Sequence, residues 1–229
     1  MDVRERFQHA ASLVESGNYP EATTELVWLW DHMLDEDKSF AGVRGSYLIA
    51  WMKRLMELHE DARVQFTALR DKLVPRIAPG SNDYMPVMDW FTLSNNLLDD
   101  HSAISAWVEE LLASESEPLE LRLMRSTILS WLFEQARWED AGNLLEPGPV
   151  VAAKARLDVE RERHTEQFDD ETLKILRENR LKSLAKTHLS YLAANRIDES
   201  QLIKELMIEL FGVDQTQTML QEMTKEIDE

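Results

Sequence analysis

The chain contains no cysteine. That excludes a disulfide framework, a thiol nucleophile and thiolate zinc sites, and it agrees with a reducing compartment. Glycine and proline are scarce, 7 of each in 229 residues, too few for the turn-rich sequence of an all-β sandwich. No window approaches the roughly 18 uninterrupted apolar residues of a membrane helix. The opening residues carry charge at Asp2, Arg4, Glu5 and Arg6 without a long apolar core, so they do not read as a secretion signal. The expectation is a cytoplasmic protein.

Positive charge is the other shortage. Against 43 acidic residues stand 25 Lys and Arg, a formal net charge of −18. A chain so poor in clustered cations is not expected to bind a nucleic-acid backbone or an anionic membrane surface. A field of that sign speeds encounters with cationic partners and also aids solubility.

What is present is helical periodicity. Leu13, Leu26, Leu29, Met33, Tyr47, Leu48, Trp51, Leu55 and Leu58 recur at three-, four- and seven-residue intervals within their segments. Turn signals fall at "SGNYP", "DEDKSFAG", "PRIAPGSNDYMP", "SESEP" and "EPGP". The segments between them predict helices near 4–16, 20–34, 43–58, 60–77, 84–98, 101–114, 119–136 and 138–146. The fold class is therefore all-α.

A short pattern recurs along these segments. "NYPEA" ends at Ala22, "HEDA" at Ala62, "DDHSA" at Ala103 and "RWEDA" at Ala141, at intervals of 40, 41 and 38 residues. In each copy acidic residues precede a small alanine and an apolar helix follows. Acidic groups at a helix start complement its exposed N–H groups and dipole, and a small residue just inside permits close helix packing. A period near 40 residues suits an array of helix–turn–helix hairpins.

"LVESGNYPEATTEL", with Gly17, Tyr19 and Ala22, resembles the turn and second-helix start of a tetratricopeptide repeat. "LFEQARWEDAGNLL", with Ala136, Trp138 and Ala141, is similar, alanine replacing the turn glycine. In the two middle copies Leu58 or His101 stands near the aromatic position, and the period exceeds the family's usual 34 or so. The resemblance, over about residues 4–146, implies a lengthened, degenerate version of such repeats. It implies a right-handed solenoid of antiparallel helical hairpins, closed by a helical C-terminal cap. "GVRGSYLIAWMKRL" also resembles segments of uncharacterised bacterial proteins of this kind.

Composition shifts at "EPGPVV", residues 146–151. All 7 tryptophans lie before it, and long charged helices follow. Residues 1–150 hold 13 basic and 26 acidic residues, a net −13; residues 151–229 hold 12 and 17, a net −5. The expected division is 1–147 for the repeats and 148–229 for a helical cap or small bundle.

Candidate site residues follow from this arrangement. On a helix from about Pro20, Ala22, Leu26, Leu29 and Met33 form one stripe with Trp30 beside it, while Trp28 points the other way, near Glu25 and His32. Stacking on both sides would bury both tryptophans; an open groove would leave Trp28 as an aromatic anchor, the kind of residue that carries much of a binding interface. Arg44, Tyr47, Lys53 and Arg54 make a basic patch that either holds an anionic group or pairs with acids such as Glu57 and Asp61. Trp28, His32, Arg44, Tyr47 and Trp51 are the expected partner-binding residues.

No catalytic or metal constellation stands out. The six histidines are scattered without a metal-ligand spacing; the nearest fragment is "HMLDED", where His32 and Glu36 stand one helical turn apart. Paired carboxylates at 99–100 and 169–170 sit where capping explains them, and no glycine-rich phosphate loop or nucleophile elbow occurs. The expectation is a non-catalytic protein-binding module or adaptor without metal or cofactor, whose partner is another protein, a basic one being favoured. The alternative is an acidic inhibitor or immunity protein for a basic toxin or nucleic-acid-acting enzyme. A third class is an enzyme with an unfamiliar groove site.

Overall fold

The computed structural model describes residues 1–77, 84–113, 119–164 and 168–228. The expected turn at "SESEP" and the middle of "PRIAPGSNDYMP" lie outside them. Among the described residues there are helices and turns and no strand. The backbone divides into two compact units, Met1–Met124 and Arg125–Glu229. That division precedes the composition change on which the expected boundary at 147–148 rests.

The first unit contains α1 (Val3–Glu15), α2 (Tyr19–Glu36), a 3-10 turn (Lys38–Phe40) and α3 (Ala41–Val43). A π-helical stretch (Arg44–Leu48) then runs on into α4 (Ile49–Leu58), followed by α5 (Glu60–Asp71). After a 3-10 turn (Val74–Arg76) come α6 (Tyr84–Thr92), a second π stretch (Leu93–Leu97) and α7 (His101–Leu112). The division between units falls inside α8 (Leu119–Glu134). The second unit continues with α9 (Trp138–Leu144), α10 (Gly148–Arg163), α11 (Asp170–Ala193), α12 (Ile197–Phe211) and α13 (Val213–Asp228).

Short polar side chains start several of these helices. At α1 the Asp2 carboxylate accepts from the Glu5 N–H at 2.8 Å, and the Glu5 carboxylate accepts from the Asp2 N–H at 3.0 Å. This reciprocal box satisfies two donors that the first turn would otherwise leave open. Asp100 caps α7 through the Ala103 N–H, and Asp169 caps α11 through the Thr172 N–H. The cores are built from the periodic apolar positions. In the first unit Leu26, Leu29 and Met33 of α2 are enclosed with Met52 and Leu55 of α4 and Phe66 of α5. In the second, Leu184 and Tyr191 of α11 are enclosed with Ile203, Leu206 and Met207 of α12. Each such side chain contributes about 1.5–3 kcal/mol of apolar burial.

One turn geometry recurs. Gly17, Asp99, Ala136 and Asn195 adopt left-handed backbone, with φ of +80°, +57°, +54° and +58°. The next residue, Asn18, Asp100, Arg137 or Arg196, opens a helix with φ between −84° and −91° and ψ between 64° and 68°. In three of the turns its N–H reaches back five residues: Asn18 to Leu13 O at 2.9 Å, Arg137 to Leu132 O at 2.8 Å and Arg196 to Tyr191 O at 2.7 Å. Asp100 reaches one residue further, to Ser94 O at 2.8 Å, because the π stretch widens the preceding turn.

Five residues past each left-handed position lies an enclosed side chain: Ala22, Ile104, Ala141 and Ser200. Ile104 therefore occupies the slot that the sequence pattern gives to Ala103, which is only half-buried. The "HEDA" turn is of another kind. His59 is extended, with φ −150° and ψ 106°, and no left-handed residue precedes α5, although Ala62 is fully enclosed. The turn at "ANRID" falls outside the sequence pattern, because Ser200 occupies the position that alanine holds in "NYPEA" and "RWEDA".

Candidate functional site

The expected binding residues separate into three environments. On α2, Trp28 is half-buried and stacks on His32 with ring centres 4.7 Å apart and planes 12° apart. The Arg6 guanidinium of α1 lies 3.6 Å from the Trp28 ring centre and also pairs with Glu25. His32 is exposed, with Nδ1 2.9 Å from the Trp28 carbonyl oxygen. Trp28 thus packs against its own chain, held by a cation over its ring.

Arg44 is a buried tie, only 8% exposed, and does not present its charge on an open face. Its Nε donates to the Trp30 carbonyl at 2.9 Å, and Nη1 and Nη2 donate to the two oxygens of Asp89 on α6 at 2.5 and 2.8 Å. The guanidinium also stacks on Trp30, 3.9 Å from the ring centre. This two-toothed pairing uses the planar fork that lysine lacks. The acid that meets it is Asp89, 45 residues away, rather than Glu57 or Asp61.

Tyr47 and Trp51 form the third environment. The helix from Ala41 to Leu58 is continuous, so positions 47, 51, 54 and 58 fall on one face. Tyr47 is 67% exposed and Leu58 47%, while Trp51 is half-buried with the Arg54 guanidinium 5.2 Å from its ring centre. This row presents aromatic and aliphatic surface beside a cation. The π stretch contains both Arg44 and Tyr47, and it sends one inward and the other outward. Such widened turns are frequent at functional positions.

A serine–histidine contact in the second unit was not legible in the sequence. Ser200 Oγ lies 2.8 Å from His188 Nδ1, but Ser200 is 2% exposed. The geometry is reciprocal: His188 Nδ1 donates to the Ser200 carbonyl at 2.9 Å, and Ser200 Oγ donates to the His188 carbonyl at 3.1 Å. Burial holds the imidazole below its ordinary pKa. The pair fastens α11 to α12 and offers no attacking oxygen to a substrate.

Among the grooves that border α11, two lie on different flanks of the helix. The larger, about 940 Å³, lies between α11 and α13 over Leu173, Phe211 and Met219, with Arg177, Asp214 and Glu222 at its rim. The smaller lies between α8 and α11. Among the described residues no three His, Asp or Glu side chains converge as a metal site would require. No helix among them is long and apolar enough to cross a membrane. No protein-family model matches the chain, and no match was found among curated proteins or solved structures.

Proposed function

We propose that this chain is a non-catalytic, protein-binding helical module that docks its partner on the Tyr47–Trp51–Arg54–Leu58 face of the first unit. The observation that carries the reading is the 67% exposure of Tyr47 on the same helical face as Trp51 and Leu58. An aromatic that folding leaves in water gains most from a partner that covers it. The recurring left-handed turns support a tetratricopeptide-like solenoid of hairpins as the framework that displays this face.

The net charge of −18 favours a basic partner. The exposed run Asp35, Glu36 and Asp37 at the end of α2 supplies carboxylates in the same unit. In its sharper form the module is an acidic inhibitor whose carboxylates occupy sites that phosphates otherwise fill on a nucleic-acid-acting protein.

Affinity capture from the native host with the wild-type chain and with Tyr47→Asp tests the docking face. A partner held by the wild type and lost by the variant supports it; equal recovery by both removes this face. The charge argument has its own readout. The association rate should fall steeply with ionic strength, and a rate insensitive to salt overturns the electrostatic part.

A further inference from the structure

The groove between α8 and α11 holds about 410 Å³. Ser126, Leu129, Ser130 and Phe133 line it from α8, and Asn179, Lys182, Ser183 and Lys186 line it from α11. Both sets follow the same i, i+3, i+4, i+7 spacing, so each is one continuous helix face. Leu129, Phe133 and Leu145 make an apolar floor, and the hydroxyls, the amide and the two ammonium groups stand above it. In a chain with 43 acidic residues and 25 basic ones, no aspartate or glutamate is among the described residues that line this groove.

Its cations are also uncommitted. Among the described residues neither Lys182 nor Lys186 forms an ion pair, whereas Arg156, Arg180 and Arg196 of the same unit each hold a glutamate. The Lys186 ammonium lies 5.3 Å from the centre of the Phe133 ring, above the floor. One helical turn separates the two lysines, so their ammonium groups can converge on one anion. The larger groove on the other flank of α11, which Lys182 also borders, lacks this character. Asp170, Glu178, Asp214 and Glu222 line it together with Lys174, Arg177 and Lys182, four acids against three bases, so it carries no surplus of positive charge.

We infer that the α8–α11 groove binds a small organic anion, a carboxylate or a phosphate monoester. Lys182 and Lys186 hold its charged head, and Leu129 and Phe133 receive its apolar body. Lysine serves as a point charge for either head group, and Ser126, Ser130 and Asn179 supply further hydrogen-bond partners at the rim. The volume lies in the range of small-ligand sites, roughly 300–1,000 Å³. A small ligand is favoured over an acidic peptide because the net charge of −18 repels a partner in proportion to its own charge. One anionic head close to two lysines is dominated by those lysines, since more distant charges are screened beyond about 8–10 Å. This site lies in the second unit and does not depend on the docking face of the first.

Titration of the full chain with phenyl phosphate, benzoate, inorganic phosphate and benzyl alcohol tests the inference. Phenyl phosphate or benzoate is expected to bind in the millimolar range or tighter, with the tighter of the two naming the head group. Inorganic phosphate and benzyl alcohol, each carrying half of the recognition, are expected to bind more weakly. Lys186→Gln should weaken phenyl phosphate roughly tenfold, as expected for loss of one charge-assisted hydrogen bond. Ser130→Glu, which places a carboxylate in the groove, should abolish binding. Both substitutions fall outside the enclosed core, and circular dichroism checks that the helices persist. Three results would overturn the inference: no binding of either aromatic anion, undiminished binding by the K182Q/K186Q double variant, or inorganic phosphate binding as tightly as phenyl phosphate.

Discussion

Gly142 of α9 meets the main-chain carbonyl of Ser190 on α11 so closely that a β-carbon at position 142 would stand 2.0 Å from its oxygen. The Ala194 methyl group would lie 2.7 Å away on the same side. A backbone oxygen cannot step aside, so the two helices would have to separate. Gly142→Ala is expected to destabilise the second unit by about 3 kcal/mol or more, read as a shift of the urea unfolding midpoint. An unchanged midpoint would mean that α9 and α11 part without cost.

The left-handed turns predict a pair of opposite effects. At Ala136, φ of +54° strains a residue that carries a β-carbon, and Ala136→Gly should raise stability by about 0.5–1 kcal/mol. At Gly17, φ of +80° suits glycine, and Gly17→Ala should lower stability by about 1 kcal/mol. Thermal unfolding of both variants checks the signs, and shifts in the same direction would break the equivalence of the two turns.

Tyr191 connects a buried network to pH. Its hydroxyl donates to the Glu146 carbonyl, and the Arg196 guanidinium lies 4.4 Å from its ring centre. Arg196 in turn donates to the carbonyls of Gly142 at 2.6 Å and Leu145 at 3.0 Å and pairs with Glu199, which accepts from the Gly148 N–H. Burial pushes the phenol up to about 12 from an ordinary 10. The folded state therefore holds this proton more tightly than the unfolded one. The stabilisation is complete below pH 10 and is lost as pH rises through about 12. Tyr191→Phe should cost about 1 kcal/mol at neutral pH, since the Glu146 carbonyl then keeps only the longer contact from Arg196 Nη2 at 3.4 Å, and should flatten that alkaline decline. Urea unfolding across this alkaline range measures both, and an equally steep decline in the variant would assign it to other groups.

Arg44 and Asp89 should behave as a unit. Arg44→Met leaves the half-buried Asp89 carboxylate without its fork and should cost about 2–3 kcal/mol. Asp89→Leu strands the guanidinium and should cost a similar amount. Together the changes should cost clearly less than the sum of the two, because the partner that each leaves behind is gone. Strict additivity in a double-mutant cycle would show that the pair carries no coupling.

The helices were largely legible in the sequence. Segments expected at 4–16 and 101–114 are Val3–Glu15 and His101–Leu112, since apolar spacing and capping residues are local signals. Turn equivalence was harder. Ala103 and Ile104 differ by one position, and only the backbone geometry at Asp99 shows that Ile104 takes the enclosed slot. Among the expected binding residues, spacing put Tyr47 and Trp51 on one face but carried no information on which aromatic would be covered. Trp28 is met by Arg6, 22 positions earlier in the chain, and no pattern within a single helix points to that contact.

By itself the sequence determined an acidic, cysteine-free chain of helices and roughly where each begins and ends, because charge is additive and helix periodicity and capping act over a few residues. Only the tertiary structure decided that Arg44 is committed to Asp89, that Gly142 sets the α9–α11 approach, and that two lysines of α11 overlook a groove lined by no carboxylate among the described residues. Those outcomes depend on which helix faces come together across tens of residues, and that is settled by the packing of the enclosed side chains rather than by any one segment.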